Sequence, residues 1–484
     1  MSDVAIAEVG LLDRAWRRVA GLWRDMAATV AREAPPGEPL AAQMRACLEG
    51  RGGEVSARSR AARLAQDYLG RDEAGRLDFL RTLARFDSDM EAVRAAMARV
   101  AEAAEGTERA AAKARLRRAL EPPRLRLLGQ FASIPDGVKF LVDLRGELLR
   151  HRDDDPLLAA LESDLRGLLA SWFDVGFLDL RRIDWSSPAS LLERLVGYEA
   201  VHRIRTWRDL KNRLDSDRRC YAFFHPRMPE EPLIFVEVAL VRGLASSVQA
   251  LLDEKAPVLD PREADTAIFY SINNCQRGLD GISFGNFLIK RVVAELGAEF
   301  PGLKTFSTLS PIPGFRRWLD AALDAEGEAL FAQEELEALA EATPGAPDPL
   351  SGLRAMLARR NPLADPLAPV AEPVLLRLCA RYLLSEPGGA GGGRARDPVA
   401  HFHLSNGARV ERINPRGDTS EKGVREALGL MVNYLYDPAR IEENHEAYAG
   451  EGKRAAASAL RKLAARVPAP PPKAPVPALP APAA

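Results

Sequence analysis

The stretch from Thr266 to Leu309 constrains the fold most, because two strand signals there bracket a glycine loop and a helix. Thr266-Ala-Ile-Phe-Tyr-Ser-Ile272 is a short run of aromatic and β-branched residues, the pattern of a buried strand. It passes through Asn273-Asn274-Cys275-Gln276 into the loop Arg277-Gly278-Leu279-Asp280-Gly281-Ile282-Ser283. Helical spacing follows from Phe284 to Phe300, with Leu288, Ile289, Val292, Val293 and Leu296 on one apolar face and Gly302 past its end. Lys304 to Leu309 then reads as a second strand. This is a βαβ-like unit.

The flanks differ in character. From Val4 to about Leu180 the chain reads as successive helices, broken at Pro35-Pro36-Gly37, Arg51-Gly52-Gly53 and Pro122-Pro123. Leu77, Leu80, Leu83 and Phe86 form an apolar stripe, and Met90 to Leu120 reads as one long helix or a helical hairpin. No repeat period emerges, so an irregular helical domain is expected, serving packing and oligomerisation. After Trp185-Ser-Ser-Pro188 come two short helices, Ala189 to Ile204 and Trp207 to Leu214. Arg219 to His225 and Pro232 to Leu240, parted by Pro226-Arg-Met-Pro229, then read as a β-hairpin that begins the sheet.

Downstream, Ser246 to Leu252, Asp320 to Thr343 and Val370 to Leu384 are predicted helices. Val399 to Leu404 and Ala408 to Ile413 flank Ser405-Asn406-Gly407 and read as a hairpin, with helical spacing resuming from Gly423 to Tyr436. Pro387-Gly-Gly-Ala-Gly-Gly-Gly393 lacks the Gly-Lys-Ser/Thr ending of a P-loop and reads as a connection. Pro468 to Ala484 holds eight prolines and is expected to be disordered.

Charge and cysteine content narrow the function classes. Among 484 residues, 67 Lys and Arg balance 68 Asp and Glu for a net charge of −1, so no whole-molecule field favours nucleic acid or an anionic membrane. No apolar run is long enough to span a bilayer, and Met1-Ser-Asp-Val-Ala-Ile-Ala-Glu places acids where a signal peptide carries bases. Cys47, Cys220, Cys275 and Cys379 are widely spaced with no C-x-x-C pair, which argues against a zinc ribbon or a dense disulfide framework. A cytoplasmic protein is expected.

Three stretches carry candidate chemistry. Arg277 to Ser283 lies at a helix N-terminus, where unpaired amides and the helix dipole suit a pyrophosphate; a plain strand-to-helix turn is the simpler alternative. Gly281-Ile-Ser-Phe-Gly285 there matches the G-x-S-x-G nucleophile elbow, with Asp397 and His401 or His403 as triad partners, but the strand ends too early for that geometry. Phe306-Ser-Thr-Leu-Ser-Pro-Ile-Pro-Gly-Phe315 sets hydroxyls at a strand end before a rigid turn, which also fits ordinary turn chemistry. His401-Phe-His403, read as a strand, puts both imidazoles on one face. No third metal ligand is evident nearby, so an acid–base imidazole is the sharper reading and a structural histidine the plainer one.

At these stretches the chain closely resembles malonyl-CoA decarboxylases. The resemblance is carried by Tyr270-Ser-Ile, Gln276-Arg-Gly-Leu-Asp-Gly281, Phe287-Leu-Ile-Lys-Arg-Val-Val-Ala-Glu-Leu296, Phe306 to Phe315, Pro398-Val-Ala-His-Phe-His-Leu404 with Asn406-Gly-Ala408, and Gly429-Leu-Met-Val-Asn-Tyr434. It implies an α+β protein, an all-α helical oligomerisation domain at 1–182 followed by a GNAT-like mixed α/β catalytic domain at 183–466, while the Pro-rich tail at 467–484 is read from its composition. It further implies conversion of malonyl-CoA to acetyl-CoA and CO2 without metal or other cofactor, by a homo-oligomer, dimer or tetramer.

By position, the resemblance makes Ser307 the proton acceptor and His403 the proton donor. Arg277, Gly278, Leu279, Asp280, Gly281, Ile282 and Ser283 become the substrate-binding loop, with Tyr436 in support and Thr308 and Ser310 as fallback hydroxyls. Arg277, Asp280 and Ser283 replace other polar residues of the family, so backbone contacts are the firmer expectation. His401 stands where the animal enzyme has Asn, which argues against a two-histidine metal site, and Pro-Ala-Ala replaces the peroxisomal Ser-Lys-Leu ending. The alternatives are an acyl-CoA acyltransferase or thioesterase.

Overall fold

The computed structural model describes Trp23 and residues 38–49, 53–282, 287–389 and 393–465, the side chains of residues 53, 54, 175 and 287 excepted. The tail at 467–484 and Ser283 lie outside the described residues. Internal contacts divide the chain into two units, one of residues 1–210, 220–235 and 272–285, the other of residues 211–219, 236–271 and 286–484.

The first unit is mainly helical up to Trp172. Sequence signals set the helix starts: the Asp72, Asp89 and Asp155 carboxylates accept from first-turn amides, and Pro156 occupies a first-turn position that needs no N–H donor. Met90–Glu102 and Thr107–Leu120 are separate helices, so the hairpin alternative holds. The stripe at Leu80 and Leu83 is fully buried together with Phe79. Phe140 meets Trp23, Tyr68 and Phe131 edge-on, a favoured aromatic geometry at the centre of this core.

Eight strands form the sheet: β1 (Asp179–Ile183), β2 (Arg218–His225), β3 (Met228–Val241), β4 (Thr266–Asn274), β5 (Thr305–Thr308), β6 (Ser310–Pro311), β7 (Arg409–Asn414) and β8 (Met431–Tyr436). They pair in the order β1-β2-β3-β4-β5-β8-β6, with β7 also on β8. The expected hairpin is β2 and β3. The sheet begins one strand earlier than the sequence suggested, because β1 pairs antiparallel with β2 from Asp179 opposite Phe224 to Ile183 opposite Cys220. Its residues Asp-Leu-Arg-Arg-Ile are mostly exposed; an edge strand blunted with charge carries no apolar alternation to read.

In the second unit β4 and β5 run parallel from Thr266 opposite Thr305 to Phe269 opposite Thr308. The helix Phe287–Glu299 joins them, so the βαβ unit is present. β5, β6 and β7 each pair antiparallel with β8, making the sheet mixed. The fold class is therefore a helical N-terminal region followed by a mixed α/β region.

Two expectations here are corrected. Val399 to Leu404 is no strand: Pro398–Ser405 is a helix, with the Asp397 carboxylate accepting from the Val399 and Ala400 amides and Pro398 in the first turn. Capping chemistry overrode the apparent alternation. Gly423 to Tyr436 is not one helix either. The helix Glu421–Ala427 ends where Leu428 and Gly429 take φ of 54° and 77°, and the chain re-enters the sheet as β8. A glycine in the left-handed region is a standard helix stop.

Candidate functional site

Helix Pro398–Ser405 places His401 and His403 two residues apart, a spacing of about 200° around a helix. They point to different partners: His401 Nδ1 lies 2.8 Å from the Tyr448 hydroxyl, while His403 is almost fully buried among residues of β5, β6 and β8. The shared face expected for the two imidazoles does not exist. Among the described residues no group of three His, Cys, Asp or Glu could hold a metal ion.

His403 has both ring nitrogens engaged. Nε2 lies 3.1 Å from Ser310 Oγ and Nδ1 lies 2.7 Å from the Tyr436 hydroxyl. The Tyr434 ring stacks on the imidazole at 4.5 Å between centroids. Ser310 Oγ donates to Thr308 Oγ1 at 2.8 Å, and Thr308 Oγ1 also accepts from the Tyr434 amide at 3.1 Å. With its own proton committed to Thr308, Ser310 accepts from His403 Nε2–H, which leaves Nδ1 as the acceptor for Tyr436 O–H. The chain of donors thus runs Tyr436, His403, Ser310, Thr308.

Burial pushes the His403 imidazole down to about 3, so the ring is neutral at neutral pH. The Tyr436 and Tyr434 phenols are raised by the same burial and keep their protons. A neutral imidazole between two hydroxyls can lose a proton at one nitrogen while gaining one at the other, without ever carrying charge.

Ser307 is fully buried one residue before Thr308. Its hydroxyl donates to Tyr434 O at 3.0 Å rather than to His403. Strand alternation explains this: Phe306 pairs with Tyr436 and Ser307 with Leu435, so Ser307 faces away from the side of the sheet that holds the Tyr436 and His403 rings. Of the hydroxyls in Phe306 to Phe315, Ser310 meets the imidazole directly and Thr308 meets it through Ser310. Sequence alone could not choose among them, because the choice rests on where β5 breaks into β6.

Asp397 holds this helix in place. Its carboxylate accepts from Val399 N and Ala400 N at 3.0 Å, and from Gly314 N and the Tyr382 hydroxyl at 3.4 Å. A Cβ at Gly314 would sit 2.2 Å from that hydroxyl, so the Pro-x-Pro-Gly turn can dock there only as glycine. Asp397 therefore orients the helix, and among the described residues no hydrogen bond joins its carboxylate to the imidazole of His401 or His403, which removes the Ser/Asp/His triad considered above.

The loop after β4 is a 3₁₀ turn, Arg277–Leu279, leading to Gly281 with φ of 73°. The amides of Leu279, Asp280 and Ile282 donate to the carbonyls of Gln276, Arg277 and Leu279. Those three amides are spent within the loop. Gly278 is glycine for packing, since a Cβ there would lie 1.6 Å from Val142 O of helix Gly137–Leu148. Arg277 and Asp280 are exposed, Leu279 and Ile282 buried.

A mixed sheet with a buried imidazole chained between two hydroxyls offers groups suited to proton transfer. Comparison with known proteins supplies the family. The malonyl-CoA decarboxylase C-terminal domain family matches residues 176–472 and the corresponding N-terminal domain family matches residues 86–173. The mitochondrial malonyl-CoA decarboxylase of Anser anser anser is 38% identical over 413 residues, 81% of each protein, and that of Rattus norvegicus is 38% identical over 368 residues, 73% of this chain and 74% of that protein. The crystal structure of malonyl-CoA decarboxylase from Rhodopseudomonas palustris is similar over 87% of this chain and 98% of that one, with 43% identity and a TM-score of 0.76. That from Agrobacterium vitis covers 88% and 99%, with 41% identity and a TM-score of 0.78. The chain belongs to the malonyl-CoA decarboxylase family.

Proposed function

We propose that the protein converts malonyl-CoA to acetyl-CoA and CO2 by acid–base chemistry of its own side chains, with no cofactor. The bond between the α-carbon and the carboxylate breaks, its electron pair passes to the α-carbon and thioester oxygen, and one proton is returned to carbon. His403 supplies that proton from Nε2, directly or through Ser310, as the Tyr436 hydroxyl passes its own proton to Nδ1 and the ring stays neutral; the reaction takes up one proton overall, and a solvent proton restores the Tyr436 hydroxyl before the next turnover. Family resemblance names Ser307 as the proton acceptor, but its hydroxyl is turned to Tyr434 O, so Ser310, bonded to His403 Nε2, takes the hydroxyl role beside the imidazole, and the loop Arg277 to Ser283 receives the CoA portion. The single observation that carries the reading is the buried imidazole chained between two hydroxyls. A low-dielectric surround favours loss of neutral CO2 from a charged carboxylate.

The wider assignments are proposals of the same kind: a helical domain at 1–182, a GNAT-like catalytic domain at 183–466, a homo-oligomer and a cytoplasmic location. Exposed Met90, Met97 and Leu120 on one helical hairpin support self-association. Four free, buried cysteines suit a reducing compartment, and among the described residues no helix is long and apolar enough to cross a membrane. The test is to incubate EDTA-treated protein with malonyl-CoA and follow products by mass spectrometry. Equal acetyl-CoA and CO2 are expected; free CoA with malonate marks a thioesterase, and transfer to an added amine marks an acyltransferase.

A further inference from the structure

The helical region grips the candidate acyl-CoA loop through two arginines. Arg145, on helix Gly137–Leu148, is buried, and its Nε and Nη2 both donate to Glu162 Oε1, at 3.0 and 2.7 Å. A planar guanidinium fixed along one edge has its remaining N–H aimed in a set direction. That remaining group, Nη1, donates to Gly278 O at 2.6 Å. Arg166, on helix Pro156–Trp172 and exposed, donates from Nη2 to Gly281 O at 3.0 Å.

Two further features leave the loop little freedom. A Cβ at Gly278 would meet Val142 O at 1.6 Å, and a Cβ at Gly146 would come within 3.5 Å of Gly278 N, so backbone packs on backbone at that point. At its far side Asn274 Nδ2 donates to Asp280 Oδ1 at 3.0 Å, tying the loop to the end of β4. The carbonyls at both glycines are therefore oriented by residues more than a hundred positions earlier in the chain, and the peptide planes that bear them are set with them.

We infer that Arg145 and Arg166 are positioning residues for acyl-CoA recognition: the helical region shapes the loop that reads the CoA portion, in addition to any part it plays in assembly. This rests on the assignment of the loop to CoA made above. Neither side chain touches the reacting atoms, so their loss acts on substrate binding and leaves the proton-transfer step intact.

Three variants test it by steady-state kinetics on malonyl-CoA and by titration with free CoA. Arg166→Ala removes an exposed donor with little risk to folding, and Arg145→Lys keeps the charge while losing the fork. Gly281→Ala strains the loop itself, at a residue whose φ disfavours a side chain but whose Cβ meets no neighbour. All three are expected to raise KM and the Kd for CoA about five- to tenfold, the scale of one ordinary hydrogen bond, with kcat within twofold. A merely structural role would lower thermal stability or active fraction and leave KM alone. If Gly281→Ala raises KM while both arginine variants leave it unchanged, the positioning role is overturned and the loop assignment stands. If none of the three moves KM or Kd, the loop assignment itself falls and the inference with it.

Discussion

Acid should destabilise this protein in part through the His403 ring, and the size of that contribution follows from where the ring sits. Its folded pKa is about 3 against an ordinary 6.5, because burial penalises the cation. Below pH 6.5 the unfolded chain binds a proton at this ring that the folded chain refuses, so the unfolded state gains protons relative to the folded one. Stability from this group is complete above pH 6.5 and is lost as pH falls from 6.5 toward 3. Between pH 7 and pH 5 the loss comes to about 2 kcal/mol, the linkage result for those two values at 1.36 kcal/mol per unit of pKa difference.

The perturbation that isolates it is His403→Gln, which cannot titrate. His225, His401 and Asp397 also have shifted values, but their contributions are common to both proteins and cancel in the difference. Denaturant unfolding of both proteins at pH 7 and pH 5 should show the advantage of the parent shrinking by about 2 kcal/mol. A difference that stays constant to within about 0.5 kcal/mol would refute the burial argument. The same neutrality means that kcat should show no titration step near 6.5, where an exposed histidine would produce one.

Two other predictions concern the hydroxyl chain. Tyr436→Phe removes only the partner of His403 Nδ1 and should cost about 1–3 kcal/mol of stability for the unpaired buried acceptor; turnover should drop while KM holds, as steady-state kinetics and thermal unfolding would reveal. His403→Ala and Ser310→Ala should each lower turnover by roughly 10²–10⁴ with binding kept, and Ser307→Ala decides between the serines, since a loss of that size at Ser307→Ala with Ser310→Ala near normal would return the hydroxyl role to Ser307.

Much of this architecture was legible from local pattern. The βαβ unit at Thr266 to Leu309, the hairpin of β2 and β3 and the pair of helices between Met90 and Leu120 all follow from apolar spacing and turn residues. What misled was local pattern in competition with local chemistry. His401-Phe-His403-Leu alternates like a strand, yet Asp397-Pro398 is a helix start, and the carboxylate bonded to two amides prevailed. β1 escaped notice because an edge strand with one buried residue needs no apolar face. β8 was hidden behind a helix that a left-handed Leu428-Gly429 pair stops one turn short.

The sequence by itself determined which segments could be strands, loops and helices, which hydroxyls and imidazoles were available, and, through a long resemblance, the family. Only the tertiary structure decided which of those groups meet. Ser307 and Ser310 are three residues apart and chemically alike, but strand alternation and the break after Thr308 send one hydroxyl to Tyr434 O and the other to His403. Likewise no local signal links Arg145 to Gly278, because a hydrogen bond across 133 positions depends on how two helices and a loop pack, and packing is a property of the whole chain.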